Sequence, residues 1–168
     1  MNHMINENKK NVQLIRNDIS SMSNQLNKRF DELNINNNII NKEIKYKDGR
    51  YVGQDINGLK EGKGIFYWND GDRYEGEYRN DKMEGKGIYY FNSGDGYEGD
   101  FRNGKFEGKG IFYYNTEPWK GDRYEGDWRN GNKEGKGIYY YNDGDREMGD
   151  YYNGKEIGKH VRLTKNGE

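Results

Sequence analysis

A period of 23 residues constrains this chain more than any other property it has. The stretch Tyr74-Glu-Gly-Glu-Tyr-Arg-Asn-Asp-Lys-Met-Glu-Gly-Lys-Gly-Ile-Tyr-Tyr-Phe-Asn-Ser-Gly-Asp-Gly96 recurs, little altered, from Tyr97 and again from Tyr124. A weaker copy starts at Tyr51 and a decayed one at Glu147. A fixed spacing in the twenties implies one supersecondary unit stacked on itself, because so short a unit cannot bury its apolar face alone.

Within a unit, two β-prone runs flank a Gly/Asn-rich joint. From Tyr74 to Arg79, aromatic residues or glycine alternate with charge, which is the periodicity of a strand. The run from Lys86 to Phe91 is rich in β-branched and aromatic residues, and residues 80–85 join the two. Each unit is therefore read as a β-hairpin, and successive hairpins as one antiparallel sheet. A register with Arg79 opposite Lys86 puts Tyr78 opposite Gly87 and Gly76 opposite Tyr89. In that register rings lie over bare glycine backbone, a known stabilising arrangement.

The pattern Tyr-Glu-Gly-Glu-Tyr-x-Asn-x-Lys-x-x-Gly-Lys-Gly, closing on Asp-Gly-Asp-Arg, resembles the MORN (membrane occupation and recognition nexus) repeat. The resemblance runs from about Ile44 to the C-terminus. It implies an elongated, single-layer, twisted sheet of hairpins with an aromatic-rich groove. It also implies a binding or scaffolding module, found alone or fused to enzymes, and names no single ligand.

Composition bears on whether such a chain folds at all. A hydrophobic fraction of 30%, a charged fraction of 34% and a mean hydropathy of -1.41 would by themselves suggest disorder. Sixteen Tyr, six Phe and three Trp in register reverse that reading, since each ring buries a large area. With no cysteine there is no disulfide framework. Residues 1–10 are polar and no apolar run approaches a transmembrane span, so a soluble, cytoplasmic protein is expected, associated with cytoskeleton or membrane. The formal net charge of -1 provides no field for nucleic acid, and no nucleic-acid partner is expected.

Residues 1–43 form a different object. Ile5, Val12, Ile19, Leu26, Leu33 and Ile40 recur every seven residues, with Ile15 and Met22 at the offset positions. That seam predicts an N-terminal helix, either a coiled coil that makes a homodimer or a helix folded back over the sheet aromatics. Val12, Ile15, Ile19, Met22, Leu26 and Leu33 are the expected self-association residues. An Asn-rich hinge is expected at 34–41. The repeat array then occupies 44–168. It comprises a half repeat at 44–50, repeats from 51, 74, 97 and 124, and a degenerate cap at 147–168. The fold class is mainly β.

No catalytic constellation is present. The two histidines, His3 and His160, sit in a tail and in the cap, and His160 reads as structural. Glu75, Glu98 and Glu125 recur at one position, and Glu77, Asp100, Asp127 and Asp150 at another, as a solvated face with cross-strand partners does. Asn69-Asp-Gly-Asp72 and Asn142-Asp-Gly-Asp145 read as tight turns, not as calcium loops. No enzyme activity, cofactor or metal is expected.

Two ligand classes remain. Lys63, Lys86, Lys109, Lys136 and Lys159 make a column that could face anionic lipid, yet neighbouring acids outnumber the basic residues within the repeats. A weak contact with an anionic (phosphoinositide) membrane is the alternative reading. The preferred reading is a protein partner, an extended peptide or a helix, held along an aromatic groove. Its expected residues are Tyr74, Tyr78, Tyr89, Tyr97, Phe101, Phe112, Tyr124, Trp128 and Tyr139. Trp119 joins them from a longer linker at 115–123, where it either anchors a partner or packs on its own hairpin.

Overall fold

The computed structural model describes residues 41–166. The expected N-terminal helix, the seam residues Val12, Ile15, Ile19, Met22, Leu26 and Leu33, and all of the hinge except Asn41 lie outside the described residues. Eleven strands form one open antiparallel sheet in which order across the sheet equals order along the chain. They are β1 (Asn41–Lys45), β2 (Gly49–Ile56), β3 (Leu59–Trp68), β4 (Arg73–Arg79), β5 (Lys82–Tyr90), β6 (Gly96–Arg102), β7 (Lys105–Tyr113), β8 (Arg123–Arg129), β9 (Asn132–Tyr140), β10 (Arg146–Tyr152) and β11 (Lys155–Leu163). The described residues contain no helix. The half repeat contributes the N-terminal edge strand, β1, paired with β2.

The hairpins close on two residues, not on the six-residue joint expected. Asn57-Gly58, Asn80-Asp81, Asn103-Gly104, Asn130-Gly131 and Asn153-Gly154 all have positive φ at both positions. Two consecutive residues with positive φ match the twist of the flanking strands, and Asn-Gly meets that demand at low cost. The expected register is thereby corrected. Arg79 pairs with Lys82, Tyr78 with Met83 and Gly76 with Gly87, with a register shift between Gly76 and Glu77. Gly85, at φ 63, belongs to that bulge and not to the turn.

Glycine therefore faces glycine across the whole array. Gly53, Gly64, Gly76, Gly87, Gly99, Gly110, Gly126, Gly137 and Gly149 pair in sequence from strand to strand. Ring-over-glycine packing survives with a different ring. A Cβ on Gly76 would stand 2.6 Å from Cζ of Tyr74 and 2.7 Å from Cα of Gly87. The tyrosine that leads each unit thus lies flat over the two glycines of its own hairpin. Its hydroxyl donates past the register shift, from Tyr74 to the Glu77 carbonyl at 3.0 Å and from Tyr51 to Gln54 at 2.9 Å.

The core is this ring layer. Tyr51, Tyr74, Tyr97 and Tyr124 are completely buried, with Tyr78, Phe101, Trp128 and Tyr151 nearly so. They alternate in one edge-to-face line across the sheet, with centroids 4.8 to 5.4 Å apart. Edge-to-face pairing sets the positive rim of one ring against the negative face of the next. A second, tilted line runs beside it through Trp68, Tyr89, Phe91, Phe112, Tyr114, Tyr139 and Tyr141.

Acids clasp both ends of the strands. Glu61, Glu84, Glu107 and Glu134 accept the N–H of Asn80, Asn103, Asn130 and Asn153 in the next turn, at 2.8 to 3.1 Å. At the other end Asp72 takes the Tyr89 hydroxyl at 2.6 Å and the Asn92 N–H at 2.8 Å. Asp122 repeats this with Tyr139 and Asn142. These recurrent carboxylates join each repeat to its successor.

Candidate binding groove

Strand alternation gives the sheet two unlike faces. Tyr74, Gly76 and Tyr78 share the ring-bearing face, so Glu75 and Glu77 project from the other. On that other face runs a groove of about 1460 Å³, reaching from Val52 to Lys159. One wall is a single row in register, Val52, Ile65, Glu75, Ile88, Glu98, Ile111, Glu125, Ile138 and Met148. The opposite wall carries the lysine column, and the glycine ladder forms the floor.

The two walls differ in charge. Lys86, Lys109 and Lys136 are each paired with an aspartate of the next strand, Asp100, Asp127 and Asp150. Burial pushes the Asp100 carboxyl up, but the Lys86 ammonium at 2.7 Å and the Lys109 N–H outweigh it and hold the group below the usual carboxylate range. On the first wall Glu98 and Glu125 are exposed and have no ion pair among the described residues, while Glu75 reaches Arg73 at 3.9 Å. The unpaired charge of this wall is negative and is set among half-buried isoleucines, while Lys63 and Lys159, at the two ends of the groove, have no ion pair among the described residues.

Beside that wall, on the same face, arginines stack on tyrosines. The guanidinium of Arg50 lies 3.9 Å from the Tyr67 ring centre, Arg73 4.0 Å from Tyr90 and Arg123 3.8 Å from Tyr140. Sequence reasoning passed over these tyrosines and the isoleucines because the rings of the opposite face dominate the composition. The signal was parity, since residues next to the glycines face away from the rings.

Of the ten aromatics expected to grip a partner, nine lie in or against the core. Tyr74, Tyr97 and Tyr124 are fully buried, and Tyr78, Phe101 and Trp128 expose 7% or less. Tyr89, Phe112 and Tyr139 are partly buried and pack against these rings. None of the ten lines the groove. Their burial follows from the thinness of the fold, because a single-layer sheet must make its core from one of its own faces. Trp119 stands apart, 53% exposed in the long linker, with its ring 6.5 Å from that of Tyr114.

The last two hairpins break the apolar pattern on the ring face. Lys133 stands where Met83 and Phe106 stand, opposite Trp128. Its ammonium lies 4.4 Å from the Tyr124 ring centre and 5.1 Å from that of Tyr139. Burial among these rings pushes it down to about 8, against a smaller upward pull from Glu156. In the cap, Glu147 replaces the leading tyrosine, and the His160 ring covers Gly149 from the neighbouring strand.

The MORN repeat family model matches residues 51–73, 74–96, 97–116 and 124–146, more than half of the chain. A search of curated proteins returned no match. MORN repeats are a non-enzymatic module for interaction with proteins or membranes. Four consecutive matches, on the units whose tyrosines and glycines build this sheet, show that the chain belongs to the MORN repeat family.

Proposed function

We propose that this chain is a non-catalytic scaffold that holds an extended or helical protein partner in the groove on the face opposite the core rings. The observation that carries the reading is the wall where exposed, unpaired Glu98 and Glu125 alternate with half-buried Ile88, Ile111 and Ile138. Strands spaced about 4.8 Å apart give that wall an apolar contact roughly every 10 Å. A partner with apolar side chains at such intervals and basic ones between them would complement it. Because the central lysines already have aspartate partners, the groove favours such a segment over an anionic membrane. Self-association through Val12, Ile15, Ile19, Met22, Leu26 and Leu33 is part of the proposal and would double the valency.

A photo-crosslinking residue placed at position 111 of the full chain tests the groove, with position 104 at a turn as the control. Protein adducts from position 111 alone, lost when Glu98→Lys and Glu125→Lys are added, are the expected result. Adducts of equal yield from both positions, or adducts that survive the charge reversal, overturn it. Co-sedimentation with phosphoinositide vesicles at physiological salt would favour the membrane reading instead. The mass of the full chain in solution reports self-association.

A further inference from the structure

In the terminal hairpin, three positions of the ring face change together. Glu147 stands where Tyr124 leads the preceding hairpin, Glu156 stands where Lys133 and Phe106 stand, and His160 replaces a glycine of the ladder. The oxygen and nitrogen atoms that these side chains offer all lie within 4.8 Å of one another. We propose that Glu147, Glu156 and His160 form a site for a divalent transition-metal ion of the zinc class, which clamps β10 to β11.

The imidazole carries the argument. His160 Nε2 lies 3.0 Å from the Asp150 carbonyl oxygen, and a carbonyl only accepts, so Nε2 bears the proton. In the neutral ring, Nδ1 then presents a bare lone pair. That atom is buried and has no hydrogen-bond partner among the described residues, in a side chain only 10% exposed. It faces Oε1 of Glu147 at 3.4 Å, one lone pair against another. Either a second proton on the ring or a metal cation between the two atoms relieves that repulsion, and the third ligand within reach, Glu156, favours the metal. Zinc–ligand bonds of about 2.0 to 2.1 Å in tetrahedral geometry set neighbouring ligand atoms roughly 3.3 Å apart, which matches that spacing.

Supporting contacts leave the same two atoms free. The Tyr141 hydroxyl donates to Glu147 Oε2 at 2.7 Å, which fixes the carboxylate with Oε1 toward the imidazole. A ligating histidine ordinarily donates its second N–H to a carbonyl or carboxylate, as His160 does to Asp150. Glu156 is exposed and completes a set of three by a side-chain rotation, with water as the fourth ligand. One imidazole with two carboxylates selects a zinc-class ion over calcium or magnesium, which take oxygen ligands. Two cations among the described residues oppose the site: Lys133, whose ammonium feels Glu156, and Arg162, which lies opposite Glu147 in the register but is paired with Asp145 at 3.0 Å.

The test titrates zinc chloride into the full chain carrying His3→Ala, which leaves His160 as its only histidine, and follows heat and thermal unfolding, with magnesium as control. One zinc per chain and a raised Tm are expected, with no effect of magnesium. Glu156→Gln, at an exposed position that leaves folding intact, should weaken zinc by about tenfold or more. His160→Phe keeps a ring over Gly149 and removes the ligand, so it should fold yet lose the response to zinc. Lys133→Met should tighten binding. No zinc binding at neutral pH overturns the proposal, as does binding unchanged in His160→Phe.

Discussion

The hairpin β8–β9 and the terminal hairpin β10–β11 share a backbone and differ in what covers it. Both turn on Asn-Gly with positive φ, and both carry a register shift. In the first, Tyr124 lies over Gly126 and Gly137 and is sealed by Trp128 and Tyr151. In the second the leading position is Glu147, and His160 covers Gly149 from the opposite strand. The turn and the bulge therefore set the register, and the ladder then requires a flat ring, whichever strand supplies it. An interior unit must use tyrosine, because the next unit closes over it. The edge tolerates titratable groups, because water reaches one side.

The largest test of this difference is truncation of the plates. Tyr97→Ala should cost about 3 to 5 kcal/mol in urea unfolding, since its ring is fully buried. His160→Ala should cost only about 1 to 2 kcal/mol at the edge, where little packs above it. Equal losses would break the comparison. Next comes the ladder beneath. A Cβ on Gly110 would enter the ring of Tyr97, so Gly110→Ala should cost about 1 to 3 kcal/mol. At Gly131 nothing lies within 4 Å, and Gly131→Ala should show only the smaller cost of its positive φ.

Smaller effects sharpen the picture. The buried Tyr78 hydroxyl has no hydrogen-bond partner among the described residues, and Phe101 fills the same place one repeat later. Tyr78→Phe should therefore be neutral or stabilising by up to about 1 kcal/mol. Glu98→Ala, on the groove face, should leave stability within about 0.5 kcal/mol, since Glu98 is exposed and makes no hydrogen bond or ion pair among the described residues.

The pH profile is the finest test. Lys133 sits at about 8 when folded against 10.5 ordinarily, so between those values the unfolded chain binds more protons and stability rises with pH. Tyr51 is held up by burial to about 12 from 10.0, so above pH 10 the unfolded chain releases its protons first and stability falls. A shallow maximum in Tm near pH 10 is expected, and Lys133→Met should flatten the rising limb.

The period, the hairpin unit and the antiparallel sheet were legible in the chain itself, because each rests on local chemistry repeated in register. Strands also form at Asn41–Lys45 and Lys155–Leu163, where the half repeat and the decayed copy were expected. The register was not read correctly, although Asn103-Gly104 and Asn130-Gly131 are strong turn signals. Gly85 and Gly87 look alike in sequence, and only strand pairing separates a bulge from a floor.

What the sequence by itself determined is the repeat, its β character, its MORN resemblance and the need for aromatic cover. What only the tertiary structure decided is which face stays open. Tyr78, Phe101 and Trp128 read equally well as a grip or as a core, because composition cannot say whether a ring meets another ring or a partner. Once the glycines pair and the tyrosines lie over them, the rings close on each other. The groove then falls to Glu98, Ile111 and their row. A sheet one layer thick must spend one face on its own stability, and among the described residues the other stays open.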